Sequence, residues 1–185
     1  MCPWNRADGM CVKHLKVEKV SDSVYADTSG DGSSNLGAIA LTSFVVAVDA
    51  SMFPLIAQGL RRQVENESRK RFAKLVLTHY HADHVFGNQV FKDCEIVSSM
   101  ELKEKMVEAS KTEWTPKELE KYLESDPSVA GKMRGLEITL PTKTFESSST
   151  IKEKGTQIDI KCVEDTQQTP HISTSLPKKF YSQVT

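Results

Sequence analysis

A layered α/β sandwich is the fold class that the sequence predicts, from three observations. At 185 residues the chain is long enough for one domain with a full core and short for two. Its apolar periodicity runs in the order strand hairpins, helix, strand, two helices, strand hairpins, which suits packed layers. Leu75, Val76 and Leu77 are consecutively apolar, as in a strand covered on both faces of a sheet. With 38% apolar and 26% charged residues, the chain is globular rather than disordered in composition.

Residues 1–13 are mixed in character and expected to fray; residues 14–163 carry the domain. From His14 the run HLKVEKVSDSVYADT reads as extended, and SGDGSS is a turn cluster. NLGAIALTSFVVAVDAS holds two short apolar runs broken at Thr42-Ser43, as in antiparallel strands. Ser51 to about Phe72 reads as a helix, with Pro54 in the first turn and Ile56, Leu60 and Val64 as its apolar stripe. Its other face, with Arg61, Arg62, Glu65, Arg69 and Arg71, is expected to be solvated. AKLVLTHY is the next strand, VFGNQVF a loop or short helix, and CEIVSS a further strand. Ser98 with Glu101 fits a capping box for a helix over roughly 99–110. Thr115-Pro116 with Glu118 fits another, running to about Glu124 with Leu119, Tyr122 and Leu123 inward. EITLPTKTF and TIKEKGTQIDIKCV return to strand-like alternation.

Composition excludes several function classes. With 24 basic and 25 acidic residues the net charge is −1, so nothing favours nucleic acid or an anionic membrane as partner. No apolar run reaches the roughly 18–20 residues of a membrane span. MCPWNRADGMCVKH has no apolar stretch of the signal-peptide kind, so a cytoplasmic location is expected. Cys2, Cys11, Cys94 and Cys162 form no CxxC pair and are expected to be reduced, Cys94 and Cys162 as small buried residues; a bridge or a metal at Cys2 and Cys11 is the alternative. Trp4 and Trp114 are isolated, and Trp114 is expected to pack at a helix start rather than serve as a substrate platform.

The chemistry lies in Thr78-His79-Tyr80-His81-Ala82-Asp83-His84, where three of the five histidines fall within six residues beside an aspartate. Side chains two apart on an extended segment point the same way, so His79 and His81 can converge on one cation. Asp83 and His84, where the chain leaves the strand, can turn toward a second. Imidazole and carboxylate are zinc's usual nitrogen and oxygen ligands, and α/β sites gather at the C-terminal ends of strands.

THYHADH resembles the signature of the metallo-β-lactamase superfamily, and its surroundings from about residue 15 to 163 are similar too. The resemblance implies an αββα sandwich, here incomplete. It implies a metal-dependent hydrolase holding one or two Zn²⁺ ions, with iron or manganese as alternatives, and a small-molecule substrate. The activated hydroxide would attack an ester, thioester, lactam or phosphodiester. By resemblance His79 and His81 bind a first metal, and Asp83 and His84 a second, with Asp83 also the catalytic residue. Asp49, closing FVVAVDAS, is a supporting residue by resemblance; read as a residue type it equally fits an ordinary strand-end turn.

The resemblance also implies ligands that are missing: a histidine in a GGHT-like turn, an aspartate on a strand ending like FAGD, and a last histidine. After Val163 the chain reads EDTQQTPHISTSLPKKFYSQVT, polar and unpatterned. Back-translated with degenerate codons and read from the last base of the Val163 codon, this stretch can spell GGHTADSSYLYFPAEKVLFAGD, which holds both absent motifs in order. Residues 164–185 are therefore expected to be out of frame after loss of one base. His171 is the tail residue able to replace a lost ligand. Weak metal binding and impaired turnover are expected, because a zinc site normally has at least three protein ligands. LGAIAL, FVVAV and LVL are expected to be uncovered and to drive self-association. The rival to a hydrolase is a non-catalytic relative acting as a binding module.

Overall fold

The computed structural model describes residues 16–30, 33–126, 129, 131–133, 135–163 and 171–175. Their strands are β1 (Val17–Lys19), β2 (Val24–Asp27), β3 (Leu36–Ala40), β4 (Phe44–Val48), β5 (Arg71–Val76), β6 (Glu95–Ser99), β7 (Lys143–Phe145), β8 (Ser148–Glu153), β9 (Thr156–Val163) and β10 (His171–Ser175). The first seven form one sheet in chain order, antiparallel from β1 to β4 and parallel from β4 to β7. The switch follows from the connections. The break at Thr42-Ser43 is short enough only for a hairpin, whereas β4 and β5 are joined through a helix, as parallel pairing requires. β8, β9 and β10 form a second, antiparallel sheet.

The helices are α1 (Pro54–Ser68), α2 (Ala82–Val85), α3 (Met100–Lys111) and α4 (Pro116–Ser125), and a 3-10 helix spans Phe86–Phe91. Ile56, Leu60 and Val64 of α1, with Leu102 and Met106 of α3, pack with Val45, Ala47, Leu75 and Ile96 on one face of the large sheet. The alternate residues Ile39, Val46, Val76 and Val97 face Ile151, Ile158 and Ile160 of the small sheet. Helices, large sheet and small sheet are thus three successive layers. Among the described residues no helix is long and apolar enough to cross a membrane.

Several sequence expectations are corrected. LGAIAL, FVVAV and LVL are not uncovered: Leu36, Val45, Val46, Ala47, Leu75, Val76 and Leu77 are all buried, because the helices cover one face and the small sheet the other. α1 stops at Ser68 rather than Phe72, since Arg69 turns left-handed at φ 60° and Arg71 starts a strand that includes Phe72. Arg61 is not on a solvated face: it makes a bidentate pair with Asp93 at 2.6 Å and donates to the Val90 carbonyl. The cap of α3 is Ser99, whose hydroxyl accepts from the Leu102 N–H at 3.1 Å, not Ser98, which donates to the Ser99 carbonyl. Thr115 caps α4 as expected, but Tyr122 is exposed, and only Leu119 and Leu123 of the three lean on the core. EITL before β7 is not a strand. Cys94 is buried as expected, whereas Cys162 is half-buried.

Beyond Val163, His171–Ser175 pairs as β10 with Asp159–Val163. The expectations for residues 1–13, including Cys2, Cys11 and Trp4, lie outside the described residues, as does most of 164–185.

Candidate metal centre

The site is built where β4 and β5 end side by side. The Asp49 N–H donates to the Val76 carbonyl at 2.9 Å, which carries the parallel ladder one residue past β4. Asp49 then adopts φ 60° and Ser51 φ 67°, turning the chain sharply into α1. Left-handed backbone is tolerated by aspartate better than by most residues, which is a local reason for its place here. The turn receives α2 and the 3-10 helix: Ala50 N–H donates to the His84 carbonyl at 2.8 Å, and Gly87 N–H to the Ser51 carbonyl at 2.9 Å.

Asp49 is 4% exposed and fully engaged. One carboxylate oxygen accepts from the Thr78 N–H at 2.8 Å; the other lies 2.7 Å from Thr78 Oγ1 and 2.8 Å from His84 Nδ1. An ionised carboxylate only accepts, so both the Thr78 hydroxyl and His84 Nδ1 are donors to it. With its proton committed, Thr78 Oγ1 accepts from His79 Nδ1, 3.0 Å away. Donor accounting therefore places a proton on Nδ1 of both His79 and His84, so that Nε2 is the nitrogen whose lone pair each neutral ring would present to a cation. Histidines that bind metal are held this way, the second ring nitrogen hydrogen-bonded to an orienting group.

Around those lone pairs the ligand-type atoms gather. His79, Asp83 and His84 each offer one ligand atom, all within 4.8 Å of one another. His84 Nε2 is 3.3 Å from Asp83 Oδ2, and the His79 and His84 ring centroids are 3.8 Å apart. The His81 ring stands perpendicular to His79, with centroids 4.9 Å apart, at the exposed rim. Thus the four motif residues are brought together, with His79 grouped with Asp83 and His84 and with His81 beside them. Burial opposes the charged form of His84, but the hydrogen bond and charge of Asp49, with the charge of Asp83, outweigh it and raise the imidazole pKa above its ordinary value. His171 opens β10, and its side chain lies outside the described groups.

Two nitrogen donors of fixed tautomer and one carboxylate suit a divalent cation of the zinc type, which takes three protein ligands in catalytic sites. Two contributors escaped the sequence reading. Thr78 links His79 to Asp49, and Ser34, the last residue of the SGDGSS turn, donates its hydroxyl to the Asp83 carbonyl at 2.5 Å. Thr78 had a signal in its place directly before His79; Ser34 lies 49 residues from its partner and had none.

The fold is similar to that of solved metallo-beta-lactamases. The metallo-beta-lactamase from Pontibacter korlensis is 16% identical with a TM-score of 0.63, over 89% of this chain and 68% of that one. Metallo-beta-lactamase IND-7 is 14% identical with a TM-score of 0.61, over 91% and 69%. DIM-1 metallo-beta-lactamase is also 14% identical with a TM-score of 0.61, over 90% and 66%. No curated protein matches the chain. A family model described as the metallo-beta-lactamase superfamily matches residues 30–171, well over half of the 185, and its span takes in Asp49, Thr78 and the whole histidine cluster; on this ground the chain belongs to the metallo-beta-lactamase superfamily.

Proposed function

We propose that the chain is built as a zinc-dependent hydrolase of a small-molecule ester, thioester, lactam or phosphodiester. The observation that carries this reading is the hydrogen-bond chain from Asp49 through Thr78 to His79, and directly to His84, which leaves two imidazole lone pairs beside the Asp83 carboxylate. A bound divalent cation would supply Lewis acidity and an acidified water at neutral pH. The chain's own residues do the rest. His79, Asp83 and His84 would hold the cation, with His81 as the adjacent donor at the rim. Asp49 and Thr78 keep the imidazoles aimed and hold their Nδ1 protons. Asp83 would also be the group that accepts a proton from an attacking water, through the carboxylate oxygen that the cation does not take.

The described residues offer one three-donor group, which favours one ion of modest affinity over a full pair. The same observation supports a second reading, a metal-binding module without turnover. A cytoplasmic location is part of the proposal, supported by the free thiols of Cys94 and Cys162. Zinc titration by calorimetry, followed by a panel of thioester, lactone, lactam and phosphodiester substrates with Zn²⁺ or Mn²⁺, tests it. One bound ion with measurable hydrolysis supports the hydrolase; one ion without hydrolysis supports the module. Absence of zinc, manganese and iron binding refutes both, and tight binding of two ions refutes the one-ion stoichiometry.

A further inference from the structure

The Asp49 network reaches Thr78, His79 and His84, but it does not reach the middle of the metal-ligand segment. Tyr80 and His81 lie in neither helix nor strand, and His81 is exposed. What holds them comes from elsewhere in the chain. The Tyr80 ring lies against the His81 imidazole, with centroids 4.8 Å apart and planes at 47°. Behind Tyr80 stands Trp114, 6.4 Å away and tilted by 36°. Lys105 of α3 places its ammonium 5.8 Å from the centre of the same tyrosine ring. Trp114 also meets Phe86 edge-on, at 5.2 Å and 81°.

Tyr80 precedes His81, and Phe86 follows α2, which carries Asp83 and His84. Trp114 therefore lies against one aromatic ring within the ligand segment, Tyr80, and one just beyond its end, Phe86. Its own position is well fixed. It is 7% exposed, it sits between α3 and α4, and its backbone N–H donates to the Ala109 carbonyl at 2.8 Å.

We propose that Trp114, acting through Tyr80 and Phe86, is a positioning residue for the metal ligands, so that the α3–α4 unit is a clamp on residues 78–85. The clamp acts on the side of the segment that Asp49 leaves unsupported, and it sets where the His81 imidazole stands relative to His79. This inference rests on the reading of the cluster as a divalent-cation site.

The test measures Zn²⁺ affinity of the full chain by competition with a chromophoric chelator, records the Co²⁺ absorption spectrum, and follows thermal unfolding in excess chelator. Trp114→Ala is expected to weaken zinc binding by about tenfold or more, as loss of a supporting residue around a metal does, and to shift the Co²⁺ bands. Trp114→Phe keeps an aromatic ring between Tyr80 and Phe86 and is expected to restore both readouts toward the wild-type values. Tyr80→Leu, which leaves the buried tryptophan in place, keeps the proposal testable if Trp114→Ala does not fold, and the same weakening and band shift are expected. If the wild type binds zinc and the variants lose only metal-free thermal stability, with affinity and Co²⁺ spectrum unchanged, the clamp is refuted while the metal site stands. If the wild type itself binds neither ion, the metal reading is refuted and the clamp with it.

Discussion

Replacing Gly87 by alanine tests whether the metal-ligand segment is seated as described. Gly87 is buried in the 3-10 helix after α2, against the turn that follows β4. A Cβ there would overlap the Ala50 carbonyl oxygen outright and stand 2.9 Å from both the Ala50 carbonyl carbon and the Ala57 Cβ. The obstacle is backbone, so no side-chain rotation relieves it. The 3-10 helix and the turn must move apart, and two hydrogen bonds lie across that seam, Gly87 N–H to Ser51 and Ala50 N–H to His84. Overpacking a core costs about 1–3 kcal/mol and sometimes more. Each backbone hydrogen bond adds on the order of 1 kcal/mol. Together these give roughly 3–5 kcal/mol, set against a total domain stability of roughly 5–15 kcal/mol. Urea unfolding followed by circular dichroism reads this directly, as a midpoint lowered by about 2 M for a slope of about 2 kcal/mol/M. A loss below about 1 kcal/mol would refute the close approach of the two segments.

Three further outcomes are expected. Asp49→Ala removes the acceptor of three hydrogen bonds and frees the His84 ring; it is expected to lower stability by roughly 3 kcal/mol in urea unfolding and zinc affinity by at least about tenfold in calorimetry. The hydrogen bond from Arg61 holds the Asp93 carboxyl below its ordinary 3.8, so the pair stabilises the fold above that pH and the contribution is lost as pH falls through the lower folded value. Asp93→Asn should therefore be less stable than wild type at pH 7, with the gap closing in acid, as read by unfolding midpoints across a pH series. Burial pushes the Cys94 thiol up to about 11, assisted by the Asp93 charge, so at pH 8 about one thiol in a thousand is ionised. Peptide mapping after iodoacetamide should find Cys94 labelled slowly in the native protein and readily in urea.

What the sequence revealed tracks how local the physics is. The order of elements was legible because the stripe Ile56, Leu60, Val64 and the run Leu75–Leu77 write their period into adjacent residues. The cluster at residues 79–84 was legible because its ligands sit in one short segment. Boundaries shifted where a single backbone angle decided them, as at Arg69, or where two serines competed for one cap, as Ser98 and Ser99 did. The partners that shape the site lie far along the chain: Asp49, 35 residues before His84, was legible only through the family resemblance, and nothing near Asp83 announces Ser34. The Arg61–Asp93 pair, 32 residues apart, turned an apparently solvated arginine into a half-buried one for the same reason.

Among the described residues, Ile151, Ile158 and Ile160 are the buried apolar side chains that the smaller sheet brings to the larger. The larger sheet, by contrast, is gripped along its far side by α1, α3 and the 3-10 helix. Such unequal fastening means that the molecule should come apart in stages, the small sheet peeling away while the body beneath stays intact. Asp49, Thr78, His79, Asp83 and His84 all belong to that sturdier body, so the cation-gripping apparatus can outlast the loss of its cover.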